Sequence, residues 1–339
     1  MAKEPLHSRA WIKSGAGRSE RKEFGKAVRE KTPLAAHAKP MISAHERDVV
    51  RILEDSNEGR LPELVPLRYG RMLHSTFNFY RGSAALMARD LAGNPVSGFI
   101  VQACGDCHVH NFGAFATPER RIVIDINDFD ETLPAPWEWD VKRLAASLVL
   151  AAKERGFSED LGQEAAWRMA QGYRRFMNEL SSMSALQIWY SQISAESFLA
   201  RIGVDTRRRV EQSLKVAAEK SSTEVLTEKL TVVSNGRLRF KDIPPLLCHM
   251  EDISLGEETT RAFEDYRSTL AEDKRILLDK FEMVDIARKV VGIGSVGTSC
   301  GVLLLAGAEK DVLVLQIKEA RASVLEPMPV PLSFRTMGK

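Results

Sequence analysis

Residues 98–130 and the stretch that follows switch from one hydrophobic period to another, and that switch sets the fold class. Three short apolar runs, SGFIVQACGD, NFGAFA and RRIVIDI, are separated by turn residues such as Thr117, Pro118 and Glu119 and read as strands. Pro134 and Pro136 then introduce a helix from about Trp137. Val141, Leu144, Ala145, Leu148, Val149 and Ala152 form its apolar stripe, and Gly156 stops it. Strands and helices mixed in this way make an α+β chain.

Helical spacing continues from about Ser158 to Ser221, with Trp167, Tyr173, Phe176, Met177 and Leu180 as a core stripe. Residues 222–260 are irregular, with Asn235-Gly236 as a hairpin signal and Pro244-Pro245 as a breaker. A helix is expected from about Glu258 to Ile286, then a strand-rich end. Upstream, residues 1–31 hold nine Lys/Arg and four Glu, a solvated basic tail. One amphipathic helix follows, with Val49, Val50 and Leu53 as its stripe and Gly59 as its stop. Phe77, Phe79 and Tyr80 then precede a helical pattern with Leu86, Met87 and Leu91. These patterns divide the chain into an arm with an accessory helix (1–60), a large region (61–245), a helix with strands (246–325) and an irregular tail (326–339).

Composition enters as exclusion. The 339 residues carry 48 Lys+Arg against 46 Asp+Glu, a net charge of +2, which is not the balance of a dedicated nucleic-acid binder. The opening MAKEPLHSRAWIKSG has charges where a signal peptide needs an apolar core. The longest apolar stretches, 144–152 and 301–308, are about half of the roughly 20 residues of a membrane span. A cytoplasmic protein with no membrane partner is expected, its four cysteines (Cys104, Cys107, Cys248, Cys300) free thiols.

The densest chemistry lies in Gly105-Asp106-Cys107-His108-Val109-His110-Asn111, followed by Asp125, Asp128 and Asp130 in IDINDFDE. A hairpin through Pro118 puts Asn111 opposite Ile126 and beside Asp125. Cross-strand neighbours sit roughly 5 Å apart, or 7 to 8 Å diagonally, so an Asn oxygen and an Asp carboxylate can share one cation. Hard oxygen donors suit Mg²⁺, which keeps water and substrate phosphates as its other ligands. Asp106, five residues before Asn111, is placed to orient a hydroxyl nucleophile. The grouping is that of phosphoryl transfer, against the plainer possibility of three Asp capping turns. Asp125, inside an apolar strand, is a costly place for an unpaired carboxylate.

Gly292-Ile293-Gly294-Ser295-Val296-Gly297 is a GxGxxG. A dinucleotide fold needs a helix directly after the glycines; here residues 300–306 continue as an apolar strand, and 312–318 form a second. Glycines over strand-turn-strand, with Leu315-Gln316-Ile317-Lys318 in the manner of VAIK, match a Gly-rich phosphate loop and its lysine, ahead of a plain hairpin with a solvated lysine. Cys104-Gly105-Asp106-Cys107-His108 also fits the CxxCH spacing of haem attachment, and Cys104, Cys107, His108 and His110 can be drawn as a zinc site. Haem attachment requires export and zinc a second ligand pair, so both are set aside. His108 and His110 read as loop-bracing groups.

GDCHVHN with the downstream IDINDFDE resembles the GDxHxxN and IDxxD signatures of the aminoglycoside-phosphotransferase-like branch of the protein-kinase-like superfamily. More closely, RYGRM, FYRGSAALMARDLA, CGDCHVHNFG, IDINDFDETLPAPWEWDVKRLAASL, GIGSVGT and LQIKEA resemble the bacterial DUF2252 family. The resemblance implies a protein-kinase-like α+β fold, with a helical large lobe and a small antiparallel strand-rich lobe. Its glycine loop follows the catalytic loop, the reverse of the kinase order, so the fold is circularly permuted. It further implies ATP and Mg²⁺, with Asp106 as the catalytic Asp, and Asn111 with Asp125 or Asp128 as metal ligands. Gly292, Gly294, Ser295, Gly297 and Lys318 would meet the phosphates, and Asp140 would brace the catalytic loop. The acceptor is an unknown small molecule or protein. The alternatives are a non-catalytic nucleotide-binding or scaffolding module, and nucleotidyl transfer to protein. Related chains run on past QIKEA, whereas this one ends in SVLEPMPVPLSFRTMGK, so a truncated small lobe without hinge and partner glutamate is expected.

Overall fold

Helix caps, period-2 strands and left-handed turn residues define the local elements. The computed structural model describes residues 16–38, 47–119, 121–204, 206–212, 229–249, 253–308, 311–326 and 328. The helices are α1 (Arg18–Lys31), α2 (Val49–Asp55), α3 (Val65–Leu73), α4 (Thr76–Gly82), α5 (Ala84–Ala92), α6 (Trp137–Glu154), α7 (Glu159–Leu180), α8 (Ala185–Trp189), α9 (Ala195–Leu199), α10 (Ile253–Thr269) and α11 (Glu272–Leu278). The strands are β1 (Ile100–Ala103), β2 (Phe112–Ala116), β3 (Ile122–Ile126), β4 (Leu133–Pro136), β5 (Ile193–Ser194), β6 (Thr231–Ser234), β7 (Arg237–Phe240), β8 (Leu247–His249), β9 (Glu282–Lys289), β10 (Cys300–Ala306) and β11 (Val312–Lys318). The protein is thus a mixed α+β chain with small antiparallel sheets. It divides into two units. The first holds the described residues up to Ser56, Met72–Ala195 and those from Arg321 onward; the second holds Asn57–Arg71 and Glu196–Ala320.

In the first unit β1 pairs with β4, and β2, β3 and β5 form a three-stranded sheet. Met87, Ala88, Leu91, Ala103, Ala135 and Trp139 form its core together with Leu325 and Met328, which return from the far end of the chain. Helix α6 ends at Gly156, whose φ of +76° suits glycine, and Ser158 caps α7 by accepting from the Leu161 N–H. The two helices touch closely at Gly162, where a Cβ would stand 3.3 Å from Val149 Cα and 3.4 Å from Ala152 Cβ. The expected stripe of α6 serves this contact, but its most buried side chains are others: Glu138, Trp139, Arg143 and Ser147.

Three further expectations change. The basic tail is helical from Arg18, and Phe24 meets Phe99 edge-on at 6.0 Å between ring centres. In α2, Ile52 and Leu53 are the buried pair and Val50 is exposed. The helix expected over 258–286 is two helices and the start of a strand: Ala271 begins α11, and the alternating EMVDIARK pairs with β10, tertiary pairing overriding helical propensity. The far end of the helical run over 158–221 lies outside the described residues from 213 onward.

The second unit is built on the antiparallel order β11-β10-β9-β8. β10 is central and its faces alternate. Val302 and Leu304 pack with Phe240, Leu247 and Ala287, while Leu303 and Leu305 pack with Phe263 and Leu278. Asn235 (φ +50°) and Gly236 (φ +73°) make the tight β6–β7 turn that their left-handed preference predicts. Among the described residues no helix is long and apolar enough to cross a membrane. Leu303 is fully buried and Val284 42% exposed, so Leu303→Ala should cost about 3 kcal/mol in urea unfolding. Val284→Ala should cost under about 0.5 kcal/mol.

Candidate functional site

The loop that leaves β1 is shaped by a glycine and held by one helix. Gly105 adopts φ +82°, and a Cβ there would collide with the Glu131 backbone oxygen, so the loop closes against the segment before β4 only with glycine. From α6, Asp140 accepts from the N–H groups of Cys104 (2.7 Å) and Gly105 (3.0 Å). Ser147 accepts from the Val109 N–H at 3.0 Å. Between them Arg143, 1% exposed, directs Nε (2.7 Å) and Nη2 at Asp106 Oδ1. Arg143 Nη2 also donates to the Tyr80 carbonyl, its guanidinium lies 4.4 Å from the Tyr80 ring centre, and the Tyr80 hydroxyl donates to the Arg143 carbonyl.

Asp106 is thereby fixed with Oδ1 on Arg143 and Oδ2 3.8 Å from His108 Nε2, its side chain 20% exposed. Asn111 donates through Nδ2 to the Asp106 carbonyl at 2.8 Å. His108 is buried beside Phe77, and burial, aided by Arg143 and Arg81 and opposed by Asp106, brings its imidazole down to about 4. Its Nδ1 has no partner among the described residues. His110 stacks edge-on to Phe77 at 4.9 Å. The Asp140 carboxyl is raised by burial, with the two loop N–H groups and Arg143 pulling it back. The Cys107 thiol is pushed up by the neighbouring Cys104 and by burial, the state of an inert thiol.

The hairpin register differs by one residue from the expected pairing. Phe112 faces Ile126 and Gly113 faces Asp125, and the Asn127 N–H donates to the Asn111 carbonyl at 3.0 Å. The Thr117 N–H closes the turn on the Arg121 carbonyl, which sets that register. Asn111, in the tight turn that precedes β2, therefore meets Asn127 rather than Ile126, while Asp125 stands opposite Gly113. Asp125 is also exposed, its Oδ1 accepting from the Ile126 N–H at 2.8 Å, so the burial cost expected for it does not arise. Asp128 Oδ1 faces the Asp130 N–H at 3.4 Å, while the Asp128 carbonyl accepts from the Cys104 thiol. Among the described residues no three His, Cys, Asp or Glu side chains converge as a metal group.

Asp106, Asn111, Asp125 and Asp128 belong to the first unit; Gly292, Gly294, Ser295, Gly297 and Lys318 belong to the second. There the glycines connect β9 to β10, with left-handed φ at Gly292 (+64°) and Gly297 (+89°) and with Ile293 and Val296 buried. Lys318, exposed at the end of β11, pairs with Cys300 at the foot of that turn. Sequence reasoning missed Arg143, Tyr80 and Ser147. The signal available was an Arg three residues after Asp140 and four before Ser147, one helix face carrying polar groups.

A neutral buried His108 has a stated consequence for acid stability. The unfolded chain takes up its proton near pH 6.5 and the folded chain only near 4, so stability is complete above about pH 6.5 and falls as pH drops toward 4. The loss should reach about 3 kcal/mol, read by urea unfolding from pH 7 to 4, and His108→Gln should flatten that part of the profile.

A family model described as an uncharacterised protein conserved in bacteria, DUF2252, matches residues 60–336. No curated protein and no solved structure matches. The matched span takes in every site residue from Asp106 to Lys318, and the chain belongs to the DUF2252 family.

Proposed function

We propose that the protein is an ATP- and Mg²⁺-dependent, kinase-like phosphotransferase acting in the cytoplasm on an unknown hydroxyl acceptor. The observation that carries this reading is the β2–β3 hairpin beside the Asp106 loop, with Asp125 opposite Gly113, Asn111 just before β2 bonded through its carbonyl to the Asn127 N–H, and the Asn111 side chain tied to the Asp106 backbone. In this reading Asp106, held through Oδ1, orients the acceptor hydroxyl with Oδ2. Asn111 Oδ1 and the Asp125 carboxylate, with Asp128 nearby in sequence, would hold Mg²⁺, which supplies charge neutralisation on the phosphates. Gly292, Gly294, Ser295, Gly297 and Lys318, within the second unit, are proposed on their own account as a phosphate-binding turn and its lysine. A non-catalytic nucleotide-binding module is the second reading, favoured by Arg143 occupying one oxygen of Asp106.

The test is a thermal-shift panel of nucleotides with and without Mg²⁺. ATP or GTP with Mg²⁺ at ~100 times Kd should stabilise the protein by about 2.7 kcal/mol, and EDTA should abolish the shift. Asp125→Ala should weaken Mg-nucleotide binding at least about tenfold, the order of one lost charged ligand. Asp106→Asn should remove turnover, measured as slow nucleotide hydrolysis, and lower stability by leaving Arg143 without its carboxylate, while the folded fraction still binds Mg-nucleotide. A flat panel across all nucleotides overturns the proposal; binding with no turnover in the native protein selects the second reading.

A further inference from the structure

The glycine turn is held by a segment that precedes it by more than two hundred residues. Arg60 donates from Nη1 to the Val296 carbonyl at 2.6 Å, and Arg71 donates from Nη1 to the Gly292 carbonyl at 2.7 Å. The Leu61 N–H donates to the Gly297 carbonyl at 2.8 Å, and a Cβ on Gly297 would stand 3.1 Å from Arg60 Cβ. The segment is itself braced. Arg68, 2% exposed, bonds Asn57 Oδ1, and Asn57 Nδ2 donates to the Tyr69 hydroxyl at 2.7 Å. Arg288 on β9 reaches Glu63 at 3.2 Å, a second tie between the segment and the sheet. All of these residues lie in the second unit.

The consequence is a division of labour between the two polar sides of the turn. Its carbonyls at Gly292, Val296 and Gly297 are taken by Arg60, Arg71 and Leu61. The N–H groups of Ile293, Gly294, Ser295 and Gly297 have no acceptor among the described residues. Two guanidinium groups stand at the same turn. Unpaired N–H groups in succession, with carbonyls occupied and positive charge beside them, are what an anion-binding nest requires. Arg60 and Arg71 do two things at once: they remove carbonyl oxygens that would repel a phosphate, and they add charge that attracts one.

We infer that residues 57–71 are a clamp that preforms the glycine turn for a polyphosphate, with Arg60 and Arg71 as its positioning residues. The inference rests on the phosphate reading of that turn and names the side chains that prepare it. Without the clamp the turn has only its buried Ile293 and Val296 to fix it, and its ordering would be charged to the binding step.

Hydrogen exchange of residues 290–299 in the ligand-free full chain tests the clamp directly, alongside calorimetric titration with Mg-ATP and with sodium tripolyphosphate. Arg71→Met and Arg60→Met should each speed exchange in 290–299 about tenfold, the scale of one lost charged hydrogen bond, while β10 and β11 exchange as before. The same variants should raise Kd for both ligands about tenfold, and Arg71→Lys should recover part of both effects. Unchanged exchange in 290–299 in both Met variants overturns the clamp, as does faster exchange spread over β10 and β11, which is general loosening. Faster exchange confined to the turn, in a native protein that binds neither ligand, supports the clamp and overturns the phosphate reading instead.

Discussion

The contact on which the first unit depends is the buried pair between Arg143 and Asp106. A guanidinium with 1% exposure has given up its water, so the carboxylate, the Tyr80 ring and the Tyr80 carbonyl together offset its desolvation. Removing Asp106 leaves the Arg143 charge in a dry place, worth roughly 3–5 kcal/mol. Asp140, Arg143 and Ser147 share one face of α6 and hold the loop at Cys104–Gly105, Asp106 and Val109, three points along six residues. A stiff helix thus dictates the shape of an irregular loop.

That arrangement explains why one side of α6 was legible and the other was not. Apolar spacing reports the face toward α7, where Val149 and Ala152 meet Gly162. It is silent about the opposite, more deeply buried face, because burial there is made affordable by pairing rather than by hydrophobicity. Asp140 bracing the loop came from resemblance; Arg143 beside it had no periodic signal to mark it. The strands from Cys300 to Lys318 were readable because both faces are apolar and the glycines punctuate them. β9 was not, since EMVDIARK mixes helix formers with alternation and only its partner β10 decides between them.

The hairpin register shows how small an error in sequence reading alters chemistry. Side chains alternate with a period of two, so the one-residue difference decides that Asp125 stands opposite Gly113 and that Asn111 meets Asn127. The Thr117 N–H bond to the Arg121 carbonyl closes the turn in that register, and no residue preference announces it. Hairpin position was visible in the sequence; hairpin phase was not.

The return of the chain at Arg321 affects the order in which the protein can be made. Ser323 donates to the Glu131 carbonyl, the Val324 N–H donates to the Glu131 carboxylate, and Leu325 and Met328 enter the core around Trp139. The same Glu131 carbonyl is the surface against which Gly105 turns. On the ribosome, a first unit already supplied with α6 and its loop must wait while the whole stretch from Glu196 to Ala320 is synthesised before its core can close. The second unit has no such wait once its last strand emerges, so the segment that begins earlier is the one that finishes folding later.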